Sequence, residues 1–148
     1  CVHSIGDKAN RETLNVMEPY IRKKDNQDLR WRIEHSQHLH PNDIPRFAEL
    51  GVIASMQAIH CTSDALFVEK RLGTQRSQEG AYPWRSLLDA GAVVTNGTDA
   101  PVELFGRRDH WYWYINDRDQ WRGQVPKGLS ELGNTRRKDC KTIKGVAI

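Results

Sequence analysis

Three short apolar segments, residues 31–37, 52–57 and 92–97, are separated by stretches of helical period, and this repetition restricts the fold more than any other feature. In the first, Trp31 and Ile33 alternate with Arg30, Arg32 and Glu34, the period of a strand. Pro41, Asn42 and Asp43 then open an amphipathic helix over 43–50 that turns Ile44, Phe47 and Leu50 inward, with Pro45 in its first turn and Gly51 as its stop. The apolar strand at 52–56 leads into a helix capped by Thr62 or Ser63, running through Ala65, Val68 and Leu72 to Gly73. A polar loop over 73–82, a helix over 83–90 closed by Gly91, and the strand at 92–97 complete the pattern. Ahead of all this, Cys1-Val2-His3-Ser4 reads as the end of a buried strand. It precedes a helix over 10–24 with Leu14, Met17, Tyr20 and Ile21 on one stripe, where Pro19 should kink the helix or mark a restart.

Strand-then-helix units with short connections imply a parallel sheet with right-handed crossovers, hence an α/β fold. At 148 residues the chain suffices for one ordinary domain but is short for a closed eight-unit barrel, which takes roughly 200 or more. A mean hydropathy of −0.71 is polar for a chain that must bury a parallel sheet on both faces, so exposed surface or a missing partner segment is expected. The formal charge of +3 resides in the tail, where Lys127, Arg136, Arg137, Lys138, Lys141 and Lys144 face only Glu131 and Asp139. We read residues 1–122 as the folded unit and 123–148 as an irregular, solvated basic tail rather than a nucleic-acid surface. Cys1, Cys61 and Cys140 form no CxxC pair or even-numbered framework, which fits a reducing compartment and points to the cytoplasm. No apolar run approaches a membrane span.

His3, His35 and Asp99 each fall at the predicted carboxyl end of a different strand. In a parallel sheet or barrel those ends share one face, so residues far apart in sequence can converge. Two imidazoles and a carboxylate suit zinc or a similar divalent ion, with an open position for a water whose pKa the metal lowers toward neutrality.

The motifs carrying these residues resemble a known family. His3-Ser4-Ile5-Gly6-Asp7, Arg32-Ile33-Glu34-His35-Ser36-Gln37, Gly51-Val52-Ile53-Ala54-Ser55-Met56-Gln57 and Asn96-Gly97-Thr98-Asp99-Ala100-Pro101-Val102-Glu103 closely resemble the second half of family-3 amidohydrolases, metal-dependent hydrolases of the amidohydrolase superfamily. The resemblance runs in register from Cys1 to Glu103 and thins out toward Gly128. It implies a partial (β/α)8 barrel, roughly strands five to eight, in which the fifth and sixth strands end in the metal ligands His3 and His35 and the eighth in Asp99. It also implies that Asp99 binds metal, takes a proton from the attacking water and returns it to the leaving amine, in the hydrolysis of C–N bonds of a small amide-type molecule. The family's first strand carries a His-x-His pair and its fourth a Lys or Glu, and neither of those two strands is matched in this chain. We therefore expect a fragment whose partner is the missing N-terminal half of the barrel, and which alone binds metal weakly and turns over little. The tail departs from the family as well, as an unusual or out-of-frame terminus would.

Around this trio the residues admit more than one role. Gln57 and His60 follow a strand end and are expected to line the pocket mouth and touch substrate. Glu34 either orients His35 or pairs with Arg32, since neighbouring strand residues face opposite ways. Asp7 is expected to cap the helix beginning near Lys8, and Asp64 to cap the helix that follows the strand at 52–56. His38 and His40 read as surface imidazoles past a strand end. Cys61 lacks an evident base other than His60 and does not read as a nucleophile. Glu103 either faces the site or begins a helix, and the aromatic stretch 110–115 packs on the outside of the barrel or walls a pocket. The rival readings are a non-catalytic half-barrel interaction or regulatory protein with exposed strand edges, and a nucleic-acid binder using the basic tail with Trp111, Trp113 and Trp121.

Overall fold

A computed structural model describes residues 1–24 and 28–102. Glu103, the aromatic stretch, Trp121, the boundary at 122/123 and the basic tail lie outside the described residues. Four strands, β1 (Val2–Ser4), β2 (Arg32–His35), β3 (Ile53–Met56) and β4 (Val94–Asn96), form one sheet in the order β1-β2-β3-β4. Every neighbouring pair is parallel. The α/β class and the parallel sheet follow the sequence reading, since each strand is a short apolar run closed by a polar turn. Among the described residues no helix is long and apolar enough to cross a membrane.

The register sorts the sheet into two faces. Val2, Ile33, Ala54 and Val94 lie side by side, and the last three are completely buried. Ile33, Ala54 and Val94 pack with Leu14 and Met17 of α1 (Asp7–Lys23), Phe47 and Leu50 of α2 (Ile44–Leu50), Val68 of α3 (Ala58–Leu72) and Leu87 of α5 (Trp84–Asp89). Burying a side chain the size of Phe47 contributes about 2–3 kcal/mol. The other face carries the row His3, Glu34, Ser55 and Thr95, all exposed or half-buried. Val2 and Val93, at the two edges, are 42% and 46% exposed.

Local chemistry accounts for the element ends, with several departures from the sequence reading. Gly51 closes α2 at φ 63°, a left-handed conformation that a residue without Cβ adopts at little cost. The stretch expected as the start of that helix is a 3-10 turn, Pro41–Asp43, capped by His40, whose Nδ1 accepts from the Asn42 N–H. α1 begins at Asp7 and passes through Pro19 as one element, which forgoes only the backbone bond its N–H would have donated. Asp7 is the first residue of that helix and Gly6 its cap. α3 begins at Ala58, well before Thr62 and Ser63, because the Asn96 side chain at the end of β4 accepts the Ala58 N–H at 3.0 Å. The polar loop expected over 73–82 contains a helix, α4 (Thr74–Gly80), which buries only Ser77 and Gly80 and so shows no apolar stripe.

Candidate metal centre

Because the strands are parallel, their carboxyl ends lie on one rim of the sheet, and the polar residues that end them gather there. His35 is the last residue of β2, His60 lies in the first turn of α3 just after β3, and Asp99 stands three residues beyond β4. One donor atom from each comes within 4.8 Å of the others. His60 Nε2 is 3.3 Å from Asp99 Oδ2, and the rings of His35 and His60 have centroids 5.7 Å apart. Both imidazoles are buried and the carboxylate is half-buried.

The backbone at the rim is unusual. His35 and Ser36 have φ of 75° and 43°, and Asp99 has φ of 53°, left-handed values that non-glycine residues seldom adopt. Such strain persists where the surroundings over-determine it, and it is common at ligand sites. Here those surroundings are explicit. Ser36 N–H donates to the Ser4 carbonyl, and the buried amide of Asn10 sits within 2.9–3.3 Å of four carbonyl oxygens, those of Ser4, Ile5, Gly6 and His38.

Gln57 governs the tautomer of His35. Its Nε2 donates to the Ser55 carbonyl at 3.2 Å, which orients the amide so that Oε1 lies 2.8 Å from His35 Nδ1. An amide oxygen only accepts, so Nδ1 carries the proton and Nε2 is left with the lone pair a metal requires. Gln57, expected at the pocket mouth as a substrate contact, is thus a hydrogen-bond partner of His35. His60, expected beside it, stands among the metal-capable donors. His3 is exposed on the open face of β1, its ring edge-on to His35 with centroids 4.5 Å apart, adjacent to the three-donor cluster rather than within it.

Other candidates find different partners. Glu34 pairs with Arg32 on the face opposite Ile33. Asp7 binds Arg76 at 2.7 Å. Asp64 lies inside α3 and does not cap it; its Oδ2 accepts from Gln37 Nε2 at 2.7 Å and lies 3.1 Å from the Tyr82 hydroxyl. His38 is no surface imidazole: it is buried where residue 38 bridges Ala81, and burial pushes it down to about 4. Cys61 is buried beneath the rim. Gln37 and Tyr82 escaped the sequence reading. The signal that could have found Gln37 was its position two residues beyond His35; Tyr82 carried none.

The sequence profile of the amidohydrolase family matches residues 1–137. This chain belongs to that family. It is 42% identical over 101 residues to "Protein LONG AFTER FAR-RED 3" of Arabidopsis thaliana and 34% identical over 102 residues to "Putative amidohydrolase YtcJ" of Bacillus subtilis strain 168. These matches cover 68% and 69% of this chain but only 17% and 18% of the two relatives. Two solved structures share the fold. One, an uncharacterized metal-dependent hydrolase from Pyrococcus furiosus, has a TM-score of 0.59 and 30% identity, covering 70% of this chain and 20% of the other. A second, from Pyrococcus horikoshii OT3, also an uncharacterized metal-dependent hydrolase, has a TM-score of 0.60 and 26% identity over 76% of this chain and 20% of its own.

Proposed function

We propose that this amidohydrolase-family chain forms one side of the active site of a metal-dependent hydrolase that cleaves amide-type C–N bonds in a small molecule. The convergence of His35 from the end of β2, His60 from the first turn of α3 and Asp99 from the turn after β4 carries this reading. Two imidazoles and one carboxylate fit a divalent ion of the zinc type, and Gln57 leaves His35 in the tautomer such an ion needs. His35, His60 and Asp99 would hold the ion, with His3 as a further ligand from β1. When bound, the ion supplies Lewis acidity and lowers the pKa of water toward neutrality.

The chain's own residues supply the rest. Asp99, half-buried and held by His60, is the base that takes a proton from the attacking water and delivers it to the leaving amine. Gln57 keeps His35 oriented, and burial of both imidazoles excludes competing water from their donor atoms.

The four sequential parallel strands are, on this reading, strands five to eight of a (β/α)8 barrel. The open polar face of the sheet and its edges, unpaired among the described residues, support it, since the remaining strands would lie against them. The short coverage of the relatives supports it too: the rest of the ligand set belongs to sequence outside the match.

Titration with cobalt(II), followed by its visible absorption, tests the centre. Saturable binding that is lost in His35→Ala and Asp99→Ala is the expected result. Absence of saturable binding, or binding indifferent to both substitutions, would remove the reading. Release of amine from a panel of N-acyl and cyclic amides then tests the C–N assignment.

A further inference from the structure

A second layer of polar residues stands behind the donor cluster, and nothing in the hydrolytic reading uses it. Tyr82, between α4 and α5, is buried, with its backbone held at φ 49°. Its N–H donates to the Gln37 carbonyl at 2.7 Å, and its ring stands edge-on to His38, with centroids 5.3 Å apart. These contacts aim the phenol under the first turns of α3. There the hydroxyl oxygen is 3.0 Å from the His60 carbonyl oxygen and 3.1 Å from Asp64 Oδ2, so its one proton is shared between them. Gln37 Nε2 closes the ring by donating to both Asp64 Oδ2, at 2.7 Å, and the Tyr82 oxygen, at 2.8 Å.

We propose that Tyr82, Asp64 and Gln37 form a clamp that positions His60 against Asp99 and sets its spacing from His35. The proposal rests on the metal-centre reading above. None of the three touches the donor atoms, so all are positioning residues. The clamp works through the backbone: it holds the carbonyl of His60 itself, and Asp64 lies one helical turn further along the same helix face. Gln37 sits two residues after His35, so one hydrogen-bonded unit joins the loop after β2 to the first turn of α3, next to both imidazoles. Burial, and then the neighbouring Asp64 carboxylate, push the Tyr82 phenol far up, which keeps it a donor at any ordinary pH. The left-handed backbone of Tyr82 and the burial of Gln37 and Tyr82 are what such a unit requires to hold position.

The test compares Tyr82→Phe, which deletes one oxygen and keeps the ring, with Asp64→Ala and with Asp64→Asn, which retains an acceptor oxygen. Two readouts are used: histidine ring signals in long-range proton–nitrogen spectra of the metal-free chain, and the cobalt(II) absorption spectrum with its dissociation constant. In Tyr82→Phe and Asp64→Ala, the His60 ring signals should shift and broaden while those of His40 stay in place. The cobalt spectrum should change and affinity fall about 10-fold, with Asp64→Asn restoring both. Unchanged His60 signals together with an unchanged cobalt spectrum in Tyr82→Phe and Asp64→Ala would overturn the clamp. Should Tyr82→Phe fail to fold, the Asp64 pair decides it. A parent chain that binds no cobalt sinks the metal centre, and the imidazole spectra then still decide the clamp.

Discussion

Gln57 Oε1 accepts a hydrogen bond from Nδ1 of His35 at 2.8 Å, joining the residue just after β3 to the last residue of the adjacent β2. The bond links the tautomer of a buried imidazole to a side chain that the sequence alone suggested for substrate contact. Gln57→Ala should therefore weaken metal binding by about 10- to 100-fold without unfolding the chain. Cobalt titration beside a circular dichroism melt checks this, and an unaltered dissociation constant would show that the bond is dispensable.

Asn10 is fully buried in α1, and its amide nitrogen reaches four backbone carbonyls, from the last residue of β1 and from the loops after β1 and β2. Three of those carbonyls also accept a backbone N–H, so losing the amide does not leave them stripped. Asn10→Ala should destabilise the fold by about 2 kcal/mol, the cost of the lost bonds and a small void. Urea unfolding gives the number.

Gly80 lies against the backbone of Leu39, where an added Cβ would come 1.9 Å from the Leu39 carbonyl oxygen. The obstacle is main chain, and the Leu39 N–H donates to the Gly80 carbonyl at 2.8 Å, so neither side can retreat without breaking the contact. We expect Gly80→Ala to lower stability by about 2–3 kcal/mol. A urea midpoint equal to that of the parent would contradict this packing.

His38 gives the fold a pH dependence of defined sign. Burial pushes its imidazole from the usual 6.5 down to about 4; Arg76 acts in the same direction, while Asp64 and Asp7 oppose it. Above pH 6.5 folded and unfolded chains both hold it neutral. As pH falls below that value the unfolded chain takes up a proton that the folded chain refuses, so stability declines until the folded value is reached, by at most about 3 kcal/mol. Comparing urea unfolding at about pH 7.5 and about pH 5 should show the loss, and His38→Gln should reduce it.

The rim positions of His35 and Asp99 were legible because each follows a short apolar run and a polar turn, and parallel strands put such ends on one side. The segment Thr74–Gly80 was not legible as a helix. Its residues carry no apolar stripe, and contacts with the loop after β2 hold it in place. The burial of His38 has the same origin: a single bridge to Ala81 turns a polar loop residue inward. Asp64 looked like a cap because it follows a turn-rich stretch, yet Asn96 starts the helix six residues earlier from another strand. Where the aromatic stretch and the basic tail go is outside the described residues.

Sequence by itself determined the strand–helix alternation, the parallel sheet, and which imidazole and carboxylate end the strands, because hydrophobic period and turn chemistry are local properties. Which nitrogen of His35 is left to donate, the entry of His60 beside Asp99, and the layer of Gln37, Asp64 and Tyr82 behind them were decided by tertiary structure alone. Each depends on a hydrogen bond between atoms that the chain brings together only when its strands align, and no spacing within one segment encodes that meeting.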